Sequence, residues 1–346
     1  MTTNTALQLD FEKTTPSTDD YDISFIDLCA GIGGGRLGLE KQGFKSKGFS
    51  EIDNKAISTY NHLFPEDENL GDVTKLKSVP YADILIAGFP CQTFSIVGKR
   101  QGFEDERGQI IFSIAKILRE TKTPYFILEN VKGLKNINKG NELKRITELL
   151  SNSGYRTYYQ VLNSHDFGVP QMRERIYFVG IRKDLPNTYF NFPKMGEFKY
   201  NLSKFLTSKE DKYIVQNNPK KWETFQRYLN NKYNEGKYNL DDILQNNYLV
   251  LDTRQSDLRL YENKVPTLRK GRQGILYVKD GVLRALSGKE ALLLQGFPLD
   301  ELPKTEHITD TRLLAQAGNA MSVPVISAIA EELKKVVFSN VIEGAL

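Results

Sequence analysis

Phe25-Ile26-Asp27-Leu28-Cys29-Ala30-Gly31-Ile32-Gly33-Gly34-Gly35 reads as an apolar strand that opens into glycines, and a helical pattern continues from Arg36 to Gln42. Strand, turn and helix start together make the opening of a nucleotide site. Glycines admit a tight turn and close approach of a ligand, and a helix N-terminus favours negative charge. Gly33, Gly35 and Gly38 also satisfy G-x-G-x-x-G, with Glu51 and Asp53 near the distance expected of a ribose-binding acid. Taken alone, these glycines fit a tight turn in any sheet protein, or a nicotinamide dehydrogenase, equally well.

Working outward, a strand from Lys47 to Ile52 presents Glu51 at its end. A helix from Asn54 to Phe64 follows, with Ala56, Ile57, Tyr60 and Phe64 at core-packing spacing. A third strand is expected to end at Gly71-Asp72-Val73, leaving Asp72 to accept from an adenine amino group. Ala82-Asp83-Ile84-Leu85-Ile86-Ala87 suits a buried parallel strand, so Gly88-Phe89-Pro90-Cys91-Gln92 falls just past its carboxyl end, where open α/β sheets place their chemistry. Pro90 fixes the backbone before the sulfur, and Cys91 in that setting reads as a nucleophile. A single free cysteine is more often a small buried hydrophobe, so other segments must decide. The polar stretch Gln92 to Gly108, with Ser95, Lys99, Arg100 and Arg107, is placed to close over a substrate and hold phosphates.

Tyr125 to Val131 is the next strand, and it carries Glu129 near its carboxyl end. A carboxylate there is costly without a partner or a task, which marks Glu129 as a candidate acid. Arg173 and Arg175, two residues apart before the strand Ile176 to Ile181, point the same way, so both guanidinium forks are expected to face one site. From Lys183 to Lys270 the α/β alternation stops, and basic and aromatic residues interleave, as in Lys220-Lys221-Trp222, Arg227-Tyr228 and Lys237-Tyr238. That composition suits a surface that contacts phosphates and reads a groove, or a solvated linker domain. A helix is expected from Arg284 to Gln295. A last helix after Pro324, with Ile326, Ile329, Ala330 and Leu333 on one face, is expected to return to the first domain.

At 346 residues, 40% hydrophobic and 26% charged, the chain can bury a full core with a second, smaller lobe. No apolar run stands out as a bilayer span. The stretch 1–20 reads as a disordered polar tail, not a secretion signal. Two cysteines and three histidines offer neither a disulfide scaffold nor metal spacing, so no metal is expected and the cytoplasm is the natural compartment. A formal charge of +4 permits nucleic-acid binding without demanding it.

Six segments, in order, resemble the cytosine-C5 methyltransferase family, in particular its bacterial restriction-modification members. They are Asp27-Leu28-Cys29-Ala30-Gly31-Ile32-Gly33-Gly34, Gly88-Phe89-Pro90-Cys91-Gln92, Glu129-Asn130-Val131, Gln171-Met172-Arg173-Glu174-Arg175, Leu294-Gln295-Gly296-Phe297-Pro298 and Gly318-Asn319-Ala320. The resemblance, which spans Ser24 to Leu333, implies an α/β fold: a Rossmann-like, S-adenosyl-L-methionine-dependent catalytic and cofactor-binding domain over 21–182. It further implies a smaller, irregular target-recognition domain over 183–283, and a C-terminal segment over 284–346 that completes the first domain. By motif match, Cys91 is the nucleophile, Glu129 the acid, and Arg173 and Arg175 hold the base. Asp27, Cys29, Ala30, Gly31, Gly33, Glu51, Ile52, Asp72, Val73 and Asn319 are implied cofactor contacts, and Pro90, Gln92, Ser95, Lys99 and Arg100 form the loop over the DNA. The implied partners are double-stranded DNA and a cognate restriction endonuclease, and the implied state is a monomer. Cys29 stands where many members have Phe, and Ile52 where some stack an aromatic ring on adenine. Rival readings are a tRNA cytosine-C5 methyltransferase, whose Cys-Phe-Thr signature the variable region lacks, and a catalytically inactive DNA-binding regulator.

Overall fold

Alternation along the strands divides the protein into two apolar layers around one sheet. In the computed structural model, which describes residues 21–90, 109–300 and 308–346, six strands are ordered β2-β1-β3-β4-β7-β5. They are β1 (Ser24–Leu28), β2 (Lys45–Ser50), β3 (Ile84–Gly88), β4 (Tyr125–Val131), β5 (Tyr155–Asn163) and β7 (Glu174–Arg182). β1 pairs in parallel with β2 and β3, and β3 with β4, whereas β7 runs antiparallel between β4 and β5. In β4, Tyr125 and Ile127 face one layer, and Phe126 and Leu128 the other. The first layer holds α1 (Gly34–Glu40) and α9 (Val323–Ile342); the second holds α3 (Gln109–Thr121) and α4 (Asn141–Asn152). α2 (Asn54–Leu63) follows β2 and is capped by Asp53, whose side chain accepts from the Lys55 and Ala56 N–H groups.

The sheet order reverses between β1 and β3, because the chain leaves β1 toward β2 on one side and returns to β3 on the other. Such a switch point leaves a crevice at the strand carboxyl ends. The third strand expected before Gly71 is reduced to an isolated parallel bridge, Phe49 to Asn69. Its sequence, Pro65-Glu66-Asp67-Glu68-Asn69, has no apolar run to bury.

Glycines read as ligand-facing have a second use. A Cβ on Gly38 would stand 2.5 Å from the Ile326 Cβ, and one on Gly34 would stand 2.5 Å from the Met321 carbonyl oxygen. They let α1 lie against the chain entering α9, so the C-terminal helix does return to the first sheet. α8 (Asp310–Asn319) and α9 together pass length and composition tests for a bilayer span, contrary to the expectation of no such run. That apolar window is 67% buried inside the protein, which accounts for its composition.

The basic, aromatic region has regular structure of its own. An antiparallel sheet, β12-β11-β8-β9, comprises β8 (Val250–Asp252), β9 (Arg259–Tyr261), β11 (Ile275–Lys279) and β12 (Val282–Ala285). α5 (Pro219–Leu229) and α6 (Leu240–Gln245) cover it around Phe225, Leu229, Ile243 and Leu251. A short parallel ladder between β6 (Gln171–Met172) and β10 (Val265–Pro266) ties this region to the entrance of β7. The helix expected from Arg284 begins only at Gly288, as α7 (Gly288–Leu293). Arg284 and Ala285 complete β12, and Ser287 with Glu290 forms a capping box that sets the start.

Gly38→Ala is expected to force α1 and α9 apart and to lower stability by about 1–3 kcal/mol, the usual cost of overpacking. Urea unfolding checks this against Gly133→Ala, whose added methyl meets only ordinary contact. Equal midpoints for the two variants would contradict the packing account.

Candidate active site

Each strand of the switch point delivers one group. After β1, Cys29 takes a left-handed backbone (φ 55) that few residues other than glycine adopt, and the Ala30 N–H donates to the Ser50 carbonyl at 3.1 Å. This swings the glycine loop against the end of β2. There the Glu51 carboxylate accepts from the N–H groups of Gly31 at 2.8 Å, Ile52 at 2.8 Å and Asp53 at 2.9 Å. Asn69 fixes the Glu51 backbone from both sides. Gly31, Glu51, Asp53 and Asn319, with Lys270, Arg312 and Gln316, line a cleft of about 850 Å³. Ile52 beside it is 68% exposed, an unusual state for a large apolar side chain.

Other sequence-chosen contacts sit further back. Asp27 is fully buried, and neither carboxylate oxygen has a well-aligned hydrogen bond. Burial pushes its pKa up to about 8 against the opposing pull of the Arg36 N–H and charge. Val73 is packed in the core, and Asp72 accepts from the Thr74 N–H and hydroxyl at 2.9 and 2.7 Å. Desolvation works against Asp72's charged form, but Thr74 and Lys75 outweigh it and hold its carboxyl below the usual range. Gly33 meets Phe64 and Tyr60, not the cleft.

β3 and β4 converge at the other half of the crevice. Gly88 lies opposite Glu129, Phe89 N–H donates to the Glu129 carbonyl at 3.3 Å, and Asn130 Nδ2 donates to the Phe89 carbonyl at 3.0 Å. The backbone leading into the exposed Pro90 is therefore fastened to the end of β4. Cys91, Gln92, Ser95, Lys99, Arg100 and Arg107 lie outside the described residues.

Glu129 is 8% exposed, and its Oε1 stands 3.0 Å from Arg175 Nε, close enough for an ion pair though not aligned as a hydrogen bond. The antiparallel register makes this possible: Arg175 lies opposite Val131 and Tyr177 opposite Glu129, so all three side chains share one face. Tyr177 was not singled out from sequence, yet its buried hydroxyl has no hydrogen-bond partner, and burial next to Glu129 disfavours its ionisation. The signal was present in its place two residues after Arg175 on the same strand face.

Arg173 does not join that pair as expected. It is 2% exposed and donates to three carbonyls: Leu268 at 3.3 Å, Gly318 at 3.1 Å and Ala320 at 2.9 Å. The strand breaks at Arg173 between β6 and β7, which turns its fork toward α8 and the small region. Burial, then Arg175, pull its pKa down to about 10, still charged at neutral pH. Gln171 acts similarly, donating to the Leu294 carbonyl and accepting from the Leu268 N–H, both at 2.9 Å.

The chain matches the family model of C-5 cytosine-specific DNA methylases over residues 23–335. Similar proteins include Type II methyltransferase M1.ScrFI of Lactococcus lactis subsp. cremoris, 38% identical over 90% of this chain and 78% of that protein. Type II methyltransferase M.HaeII of Haemophilus aegyptius is 40% identical over 88% of this chain and 91% of its own length. Among solved structures, the Entamoeba histolytica methyltransferase EhMeth superposes with a TM-score of 0.66 over 92% of this chain and 99% of that one. At 18% identity this is a likeness of fold.

Cys29 is the one cysteine among the described residues, and burial, then Glu51, push its thiol up to about 12. A raised pKa leaves less thiolate at any given pH. In Cys91→Ser, where Cys29 is the sole cysteine, iodoacetamide labelling at pH 8 is expected to run at least about 100-fold slower than for a free thiol of pKa about 8.5. It should climb about tenfold per pH unit up to pH 10. Labelling at the free-thiol rate would contradict this account of Cys29.

Proposed function

Because this chain belongs to the C-5 cytosine-specific DNA methylases, we propose that it methylates C5 of a cytosine rotated out of a short word in double-stranded DNA, with Cys91 as nucleophile and Glu129 as acid. The observation that carries the reading is the buried Glu129 carboxylate, paired with Arg175 and hydrogen-bonded through its strand to the segment that leads into Cys91. A DNA cytosine methyltransferase uses S-adenosyl-L-methionine, and the cleft at β1 and β2 suits that molecule. Glu51 and Asp53 offer carboxylates to ribose hydroxyls, the exposed Ile52 an apolar face to the adenine ring, and Lys270 or Arg312 a positive charge to the amino-acid carboxylate. When bound, S-adenosyl-L-methionine supplies an electrophilic methyl group.

C5 of cytosine is too electron-poor to attack a methyl group unaided. Addition of the Cys91 thiolate to C6 makes the ring an enamine with carbanion character at C5. Negative charge then builds on the ring; Glu129 in its acid form donates to N3, and Arg175 offers its fork to O2. Once C5 carries the methyl group, its proton is lost to a base, the N3 proton returns to Glu129 and the Cys91 sulfur departs, which restores the aromatic ring, the acid and the free thiolate. Within a stacked duplex neither face of the base is open to the sulfur, so the base must rotate out, at a cost of a few kcal/mol. Arg173, its two terminal guanidinium nitrogens committed to carbonyls, positions the segment that carries Arg175.

The relatives' designation as Type II methyltransferases supports a role as the modifying half of a restriction-modification pair, protecting host DNA from a cognate endonuclease. The same reading makes the protein a cytoplasmic monomer.

Transfer of labelled methyl groups to duplex DNA and to RNA tests the proposal. Wild type should label the duplex. Cys91→Ser should abolish transfer while keeping DNA binding, and Glu129→Gln should slow it by about 10²–10⁴. Transfer by Cys91→Ser, an unchanged rate in Glu129→Gln, or preferential labelling of RNA would each overturn a stated part of the reading.

A further inference from the structure

The segment from Leu268 to Gly274, which joins β10 to β11, carries Arg269, Lys270, Arg272 and Gln273, all four exposed. Exposed loops ordinarily have loose stems, but this one is fastened at several points. Leu268 is held through its N–H by Gln171 and through its carbonyl by Arg173. Thr267 donates its hydroxyl to the Met172 carbonyl and accepts from Arg254 at 2.7 Å. The backbone of Arg269 and Lys270 rests on Gly318, where a Cβ would stand 2.6 Å from both Arg269 C and Lys270 N. Arg173 grips Gly318 and Ala320 as well, so the loop is fixed relative to the cofactor cleft and to the strand that carries Arg175.

The loop separates two cavities. On one side Lys270 reaches across the cofactor cleft to Asp53 at 3.9 Å. On the other lies a cavity of about 520 Å³ between the loop and α5, whose charged lining residues are Lys220, Lys221, Arg269 and Arg272, with no acid. Among the described residues, none of these four side chains has an ion-pair partner. Lys220 and Lys221 occupy the first turn of α5, where the helix dipole disfavours cations, so helix stability does not explain them. A polyanion lying along this face would. Within the loop, Gly271 (φ 70) turns the chain, the Arg272 N–H donates to the Arg269 carbonyl at 3.3 Å, and Arg272 and Gln273 stand beyond the turn. A guanidinium on a rigid turn is suited to the O6 and N7 acceptors of guanine in the major groove.

We propose that the 269–274 loop is the base-reading element of this protein, with Arg272 recognising a guanine of the methylated word and Lys220 and Lys221 holding the DNA backbone beside it. The inference rests on the DNA methyltransferase reading above.

The test uses the full chain and a library of randomised duplexes, read twice: by sequencing the duplexes that bind and by mapping methylcytosine. Wild type should enrich one word containing guanine. Arg272→Ala should relax preference at a single guanine by about 10- to 100-fold and leave the other positions intact. Arg272→Lys, which keeps the charge but not the fork, should show the same relaxation with overall affinity near wild type. Lys220→Ala with Lys221→Ala should weaken every duplex alike and reduce the salt dependence of binding by about two ion equivalents, with the word unchanged. If the word stays sharp in both Arg272 variants, or if wild type enriches a word without guanine, the inference is overturned even though methyl transfer stands. If wild type enriches a word by binding but transfers no methyl group, the methyltransferase reading fails separately.

Discussion

A buried carboxylate at the end of a central strand needs a cation from a neighbouring strand, and the Glu129–Arg175 pair meets that need. Leaving such a charge unpaired in this setting would cost several kcal/mol. Parallel neighbours bring only their own carboxyl ends to the crevice. β7 runs the other way, so its first residues, not its last, arrive beside the end of β4. The antiparallel course of β7 therefore determines that the start of that strand, with Arg175 and Tyr177, meets Glu129.

The same stretch joins the rest of the protein. Gln171 and Arg173 reach the α7–α8 segments and the stem of the loop before β11, and Gln295 donates to the Ala317 carbonyl at 2.5 Å. Each bond satisfies a buried carbonyl or amide that would otherwise cost about 1–3 kcal/mol. These bonds link three places: the cleft lined by Asn319, through Gly318 and Ala320; the small region, through Leu268; and the start of the strand that carries Arg175. This coupling gives a physical reason for side chains that bond to distant backbone carbonyls to lie so close in sequence to Arg175.

Much of this was legible in the residues because it is local. Continuous apolar, β-branched runs gave the strands, and acids at strand ends gave Glu51 and Glu129, which the sheet order gathers at one crevice. What escaped depends on partners far along the chain. Arg173 looks like a second site arginine until its carbonyls, 95 to 147 residues away, are known. Gly34 and Gly38 look like ligand glycines until the chain around α9 is seen against them. The missing third strand and the late start of α7 were readable, from a polar stretch before Gly71 and from a Ser-x-x-Glu capping box, but weaker strand and helix patterns masked both. Arg272 and its loop had no distinguishing local signal; only the fixed stem and the shared cavity set them apart from other surface bases.

The central claim is that a sulfur and the acid at Glu129 act on one ring at the same time. Replacing the C5 hydrogen of the target cytosine with fluorine blocks the final elimination, so a sulfur–carbon bond formed during turnover should persist. With a duplex containing 5-fluorocytosine and S-adenosyl-L-methionine present, the account predicts a denaturation-resistant adduct that maps to Cys91 by peptide mass spectrometry, and that forms at least about tenfold more slowly in Glu129→Gln. An adduct on another residue, or none while ordinary duplexes are still methylated, would contradict it.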